Sequence, residues 1–148
     1  MSLLEAYKKK RELEKSGEPK AIIHKTPERI FVIHEHHASH LHWDLRLSMS
    51  GVLKSWALPK EPPRSKHLRR LAVQVEDHPR GYADFEGEIK EGYGKGIVKI
   101  WDKGTYELIE KTPSKIVIEI KGKKLTGKYA LINAKLSGDK KNWLFMRV

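Results

Sequence analysis

The sequence predicts a mainly β protein, a single small β-barrel with a short N-terminal helix or arm. From Ile30 onward, short β-branched or aromatic runs recur at intervals near ten residues, separated by Gly, Pro, Asp and Ser. A chain of 148 residues fits one domain of roughly 100 to 200 residues. No stretch approaches the roughly 18 apolar residues that a spanning helix needs. The expected division is a helical arm over residues 1–29 and a barrel over residues 30–148.

The elements follow in order. Residues 3–15 are rich in good helix formers, and Ser16-Gly17 with Pro19 end them. Strands are expected over residues 30–35, 42–48, 52–58 and 71–76, the first built on Phe31-Val32-Ile33 and the last on Leu71-Ala72-Val73. Further strands are expected over 97–101, 105–110, 115–120, 126–134 and 142–148. Turns are read at Ser48–Gly51, Asp102-Lys103-Gly104, Lys121-Gly122-Lys123 and Ser137-Gly138-Asp139. Pro59, Pro62 and Pro63 make residues 59–67 a loop, because proline cannot donate to a ladder. Three glycines between Gly92 and Gly96 give a tight loop over residues 88–96. A phosphate-cradling role for that loop is the weaker reading, since it opens no helix. Trp43, Trp56, Trp101 and Trp143 fall inside strand-like runs and read as core.

Composition narrows the chemistry. The chain has no cysteine, so a metal site here must be built from imidazole and carboxylate. The N-terminus lacks the apolar run of a signal peptide, which leads to the expectation of an intracellular, cytoplasmic protein. Lys and Arg number 30 against 19 Asp and Glu, a net charge of +11. The excess is clustered: residues 60–70 hold five bases and Glu61 alone, and residues 111–148 hold ten bases and two acids. Such clusters suit a polyanionic partner such as nucleic acid, with a solubilising surface as the alternative.

The densest polar feature is His34-Glu35-His36-His37-Ala38-Ser39-His40-Leu41-His42-Trp43-Asp44-Leu45-Arg46. Strand alternation puts His42, Asp44 and Arg46 on one face and Trp43, Leu45 and Leu47 on the other. Two imidazoles and a carboxylate suit Mn2+, Fe2+, Co2+ or Zn2+, and His36 could fold back to join His42 and Asp44. Arg46, about 7 Å along the strand from Asp44, could hold an anion bound to that metal. His34, His37 and His40 read as spectators. The alternative is a solvated edge strand. At the end of an apolar strand, His78 could serve proton transfer or a phosphate, or could simply start a turn with Pro79. Glu76 and Asp77 could orient it or be surface charges, and Lys60 and Arg70 could bind phosphate or face water.

These residues resemble a known family: the 3′-phosphoesterase module of bacterial and archaeal DNA ligase D, in its free-standing form. The resemblance runs through Phe31-Val32-Ile33, His36, Leu41–Leu47, Gly51–Ala57, Pro59-Lys60, Arg70–Pro79, Tyr82–Gly87, Glu91-Gly92, Trp101-Asp102 and Trp143-Leu144. It implies a small β-barrel hydrolase that uses a divalent metal, typically Mn2+, with Co2+ or Zn2+ as alternatives. Its substrate would be a primer–template with a 3′-terminal ribonucleotide or 3′-phosphate. The enzyme would remove the ribonucleoside and then the phosphate, leaving a 3′-hydroxyl for repair or end joining.

By motif, the resemblance makes His36, His42 and Asp44 the metal ligands. It places Arg46, Arg70, His78 and Tyr82 on the scissile phosphate, with Lys60 and Glu76 in support. Its N-terminal Arg-Asp pair and following glutamate, tied to the phosphatase step, correspond to Arg11-Glu12 and Glu18, one methylene longer. The glycine loop reads Glu91-Gly92-Tyr93-Gly94 where the family has a histidine before the tyrosine. These 148 residues hold no ligase or polymerase motif, so a DNA ligase and an end-binding protein would be separate partners. Two other readings use the same residues: a non-haem iron oxygenase built on His42, Asp44 and His78, and a non-catalytic nucleic-acid binding barrel.

Overall fold

A computed structural model of the chain describes residues 29–92, 95–133 and 139–148. Nine strands form it: β1 (Ile30–His37), β2 (Leu41–Met49), β3 (Val52–Leu58), β4 (Arg69–Pro79), β5 (Gly87–Ile89), β6 (Gly96–Thr112), β7 (Lys115–Lys121), β8 (Thr126–Ile132) and β9 (Asn142–Arg147). A short 3₁₀ helix, Arg80–Asp84, follows β4. Neighbours pair antiparallel in the order β1-β2-β3-β4-β9-β8-β7-β6, and β6 returns to β1. Eight strands thus close a barrel with no free edge, and β5 adds to the first residues of β6. No described helix is long and apolar enough to cross a membrane. The expected N-terminal helix lies outside the described residues.

Alternation sorts the side chains into two layers. Phe31, Ile33, Leu45, Leu47, Trp56, Leu58, Tyr129 and Phe145 fill the barrel and are essentially inaccessible. Val32 and Leu53, on the opposite face of β1 and β3, pack against Tyr82 and Ala83 of the 3₁₀ helix. The same strands therefore carry a second, smaller layer outside the barrel, and the candidate site lies there. The β2–β3 hairpin turns on Ser50 and Gly51, both at positive φ (53° and 82°), as a two-residue turn requires. That matches the expected turn, although Ser48 and Met49 still belong to β2.

Three expectations need correction. Residues 97–101 and 105–110 are not two strands around a turn at Asp102-Lys103-Gly104; they form one 17-residue strand, β6. Gly104 is needed because a Cβ there would collide with the Lys121 carbonyl of the paired strand. Asp102 is buried within the strand, and its carboxylate accepts the backbone N–H groups of Lys103, Lys123, Lys124 and Leu125 at 2.8–3.1 Å. It holds the Lys121–Lys123 turn, which does form, rather than making its own. The segment 88–96 is not all loop, because Gly87–Ile89 pairs with Gly96–Val98. Finally, β4 runs three residues past its expected end at Glu76, so His78 stands in a strand and not in a turn.

Candidate metal and phosphate site

The β1–β2 register sets His36 opposite His42 and His34 opposite Asp44, while β3 sets Ser55 opposite Arg46. All six side chains share the outer face. The His36 and His42 rings lie 4.7 Å apart between centroids. Asp44 sits between them, Oδ2 at 3.7 Å from His36 Nδ1 and Oδ1 at 3.3 Å from His42 Nε2. One ligand atom from each of His36, His42 and Asp44 falls within 4.8 Å of the others. Burial pushes the Asp44 carboxyl upward, but hydrogen bonds with His36 and His42 and the Arg46 charge outweigh it and hold the group ionised. His42 is raised, chiefly by its hydrogen bond to Asp44. An ionised carboxylate flanked by two imidazoles is the donor set a first-row divalent ion takes, so these residues fit such an ion.

Arg46 is 4% exposed, and protein groups hold its guanidinium on several sides. Nε donates to His34 Nδ1 at 3.1 Å, Nη1 to Ser55 Oγ at 2.9 Å and Nη2 to Asp44 Oδ2 at 3.4 Å. The guanidinium carbon lies 5.0 Å over the Tyr82 ring. His34 completes the support: with Nδ1 accepting from Arg46, Nε2–H donates to the Phe85 carbonyl at 3.1 Å. Burial and the Arg46 charge lower its pKa to about 3, so it is a neutral acceptor at physiological pH. His34 is therefore not the spectator that the sequence suggested, and Ser55 did not stand out there. His34 was legible in principle, being two residues before His36 on one strand face; Ser55 carried no local signal.

A bulge in β4 aims His78. Ser55 pairs with Val75 and Leu53 pairs with His78, so one extra residue of β4 is absorbed between them. Without it, alternation from Val73 and Val75 would bring Asp77 to this face. Asp77 instead pairs with Lys54 at 3.1 Å. His78 Nδ1 stands 3.2 Å from Arg46 Nη1 and 3.0 Å from the Glu76 carbonyl. It can accept from one or donate to the other, and each choice leaves Nε2 in the opposite role. Burial and the Arg46 charge lower its pKa to about 4.

A cleft of about 480 Å3 opens over this face, lined by His36, His42, Asp44, Arg46, His78 and Tyr82 and walled by Glu76 and Lys95. Lys60 and Arg70 do not line it. Lys60 is exposed in the β3–β4 loop. Arg70 pairs with the core residue Phe145, on the barrel-facing side of β4, and donates Nε to the Glu61 carbonyl at 2.8 Å. The sheet itself separates the two sides, which residue spacing along the chain could not reveal. His37 turns to Glu35 at 2.8 Å, and His40 is exposed in the β1–β2 loop. Arg11, Glu12, Glu18, Tyr93 and Gly94 lie outside the described residues.

Fold and site together define a closed β-barrel that sets a cluster of residues able to ligate a cation beside a buried arginine. Residues 34–133 match the family model of the DNA ligase D 3′-phosphoesterase domain. The chain belongs to that family. It is 40% identical over 155 residues to the multifunctional non-homologous end joining protein LigD of Pseudomonas aeruginosa, covering 97% of this chain and 18% of that protein. The LigD of Mycobacterium bovis is 46% identical over 123 residues, covering 80% and 16%, and that of Mycolicibacterium smegmatis 41% over 159 residues, covering 98% and 20%. The chain thus spans about a fifth or less of these relatives.

Proposed function

We propose that this chain is a metal-dependent 3′-end-healing phosphoesterase acting on nucleic acid in end-joining repair. The observation that carries the reading is the contiguity of His36, His42 and Asp44 with Arg46 in one cleft. His36, His42 and Asp44 would hold the ion, and Mn2+ is the proposed occupant. A bound divalent ion supplies Lewis-acid stabilisation of charge on a phosphate oxygen. Arg46, desolvated and held rigid, presents its charge to the same phosphate without reorganising. His78, neutral at working pH, offers one ring nitrogen to the phosphate or to the attacking water, and Tyr82 closes the cleft beside it.

Two hydrolyses are proposed in sequence. In the first, water adds to the phosphorus linking a 3′-terminal ribonucleoside, and the bond to that nucleoside's 5′ oxygen breaks, leaving a 3′-phosphate. In the second, water displaces the 3′ oxygen, releasing inorganic phosphate and a 3′-hydroxyl. The second step is the one for which Arg11, Glu12 and Glu18 are proposed; Lys60, Arg70 and Glu76 are proposed as supporting groups for substrate. A DNA ligase and an end-binding protein would receive the product. The oxygenase reading required His78 beside His42 and Asp44, but the clustered third ligand is His36, and His78 faces Arg46. One assay tests the proposal: a labelled primer–template ending in one ribonucleotide or in a 3′-phosphate, with Mn2+ or with chelator. Metal-dependent conversion of both ends to 3′-hydroxyl supports both steps, and arrest at the 3′-phosphate leaves the first alone. Binding without cleavage under any divalent ion would replace the enzyme with a binding barrel.

A further inference from the structure

We propose that the end of the barrel beside the cleft is a second nucleic-acid surface, gripping the phosphate backbone of the duplex whose 3′ end enters the cleft. The proposal rests on the nucleic-acid reading above and adds where the rest of the substrate lies. Its core is Trp101, with the Arg64 guanidinium 5.2 Å from the ring centroid and Lys124 Nζ at 4.6 Å. Arg147 joins them by donating Nη1 to the Arg64 carbonyl at 2.8 Å, and Lys66 bridges to Arg147 through the backbone. Lys123, exposed, stands beside Lys124 in the β7–β8 turn, and Lys128, also exposed, follows on β8.

Three segments distant in sequence, residues 64–66, 123–128 and 147, therefore carry six cations to this end of the barrel, and a fourth brings Trp101. Like charges so gathered repel, and the acids nearest them, Glu61, Asp102 and the Glu119 that lies across the strand from Lys128, are outnumbered. Glu61 reaches Arg64 alone, at 3.6 Å. Asp102 is buried, with its carboxylate taken up by four backbone N–H groups, those of Lys123 and Lys124 among them. Among the described residues, Lys66, Lys123, Lys124, Lys128 and Arg147 have no carboxylate within ion-pair distance. Fixing the turn through its backbone leaves the lysine ammonium groups available to an outside anion. A polyanion with regularly spaced charge meets that arrangement, and release of its condensed counterions supplies the driving force.

The surface adjoins the cleft through the strands themselves. Trp101 follows Ile100, which pairs with His34, and Trp43, beside the proposed ligand His42, pairs with Leu58 at the start of the loop that carries Arg64 and Lys66. Cleft and cationic surface thus occupy opposite faces of neighbouring strands, at the end of the barrel where the β1–β2 and β3–β4 loops both lie. A duplex with its 3′ end in the cleft passes over that rim.

The test compares wild type with the fourfold variant Lys66→Gln, Lys123→Gln, Lys124→Gln and Lys128→Gln. Binding to a primer–template several helical turns long is titrated across salt concentrations, and turnover is measured on a dinucleotide 3′-phosphate too short to leave the cleft. The variant should bind the long duplex at least tenfold more weakly, with a salt slope shallower by about 0.9 for each phosphate that it no longer neutralises. Its dinucleotide turnover should stay within about twofold of wild type, and a fourfold Lys→Arg variant should restore binding. Unchanged duplex affinity and slope would overturn the surface. If wild type turned over neither substrate while duplex binding still followed the lysines, the surface would stand and the phosphoesterase reading would fall.

Discussion

Arg46 shows how much one side chain depends on its neighbours here. A guanidinium taken out of water is tolerable only when its donors are met, and His34, Ser55 and Asp44 meet them. His34 should therefore be replaceable by glutamine, whose amide carries an acceptor and a donor at opposite ends, but not by leucine. His34→Gln should keep turnover within about fivefold, while His34→Leu should cost about 2 kcal/mol of stability and most of the turnover. Urea denaturation beside single-turnover kinetics checks both. His78 sets a pH dependence. Its folded pKa of about 4 lies below the ordinary 6.5, so the unfolded chain binds more protons between those values. The stability it contributes is complete above pH 6.5 and is lost as pH falls from 6.5 toward 4, by about 2 kcal/mol. Denaturation of metal-free protein at pH 7 and pH 4.5 should show that loss added to the one His34 contributes with the same sign, and His78→Gln should shrink the total by about 2 kcal/mol without abolishing it. The alternation of His42, Asp44 and Arg46 was legible residue by residue. His34 was read as a spectator, because a histidine that supports an arginine looks like any other until its partner strand is in place.

Irregularities within the strands, more than the strands themselves, give the site its form. A regular β4 would direct Asp77 toward Arg46; the bulge substitutes His78. A second irregularity, between Ile33 and His34 against β6, returns Asp102 to the barrel side after Ile100 has faced outward. Asp102 then ties the β7–β8 turn. Asp102→Ala should leave four backbone N–H groups without their acceptor and cost about 3 kcal/mol, read as a lower thermal midpoint. Strand positions were largely readable from β-branched and aromatic runs. The split of β6 was a misreading, since Asp-Lys-Gly is turn chemistry locally, and only the Lys121 backbone explains why a glycine is needed there.

The molecule as a whole uses closure to free one face of its sheet for chemistry. With the hydrophobic load taken up inside the barrel, the outer face of β1–β4 can carry buried polar groups under a thin cover from the 3₁₀ helix. If His36, His42 and Asp44 hold a divalent ion, saturating Mn2+ at a hundred times its dissociation constant should raise stability by about 2.7 kcal/mol. Chelator should reverse the shift, and His42→Ala should abolish it together with turnover; a shift surviving in that variant would place the ion elsewhere. Sequence alone determined the β class, the His36, His42, Asp44 and Arg46 constellation and the clustered positive charge, because alternation and composition are local properties of the chain. Tertiary structure decided that β6 is one strand, that His78 rather than Asp77 meets Arg46, that Arg70 stands apart from the cleft, and that distant cations gather around Trp101. Each depends on register, bulges and barrel closure, and those are fixed by which strands lie side by side.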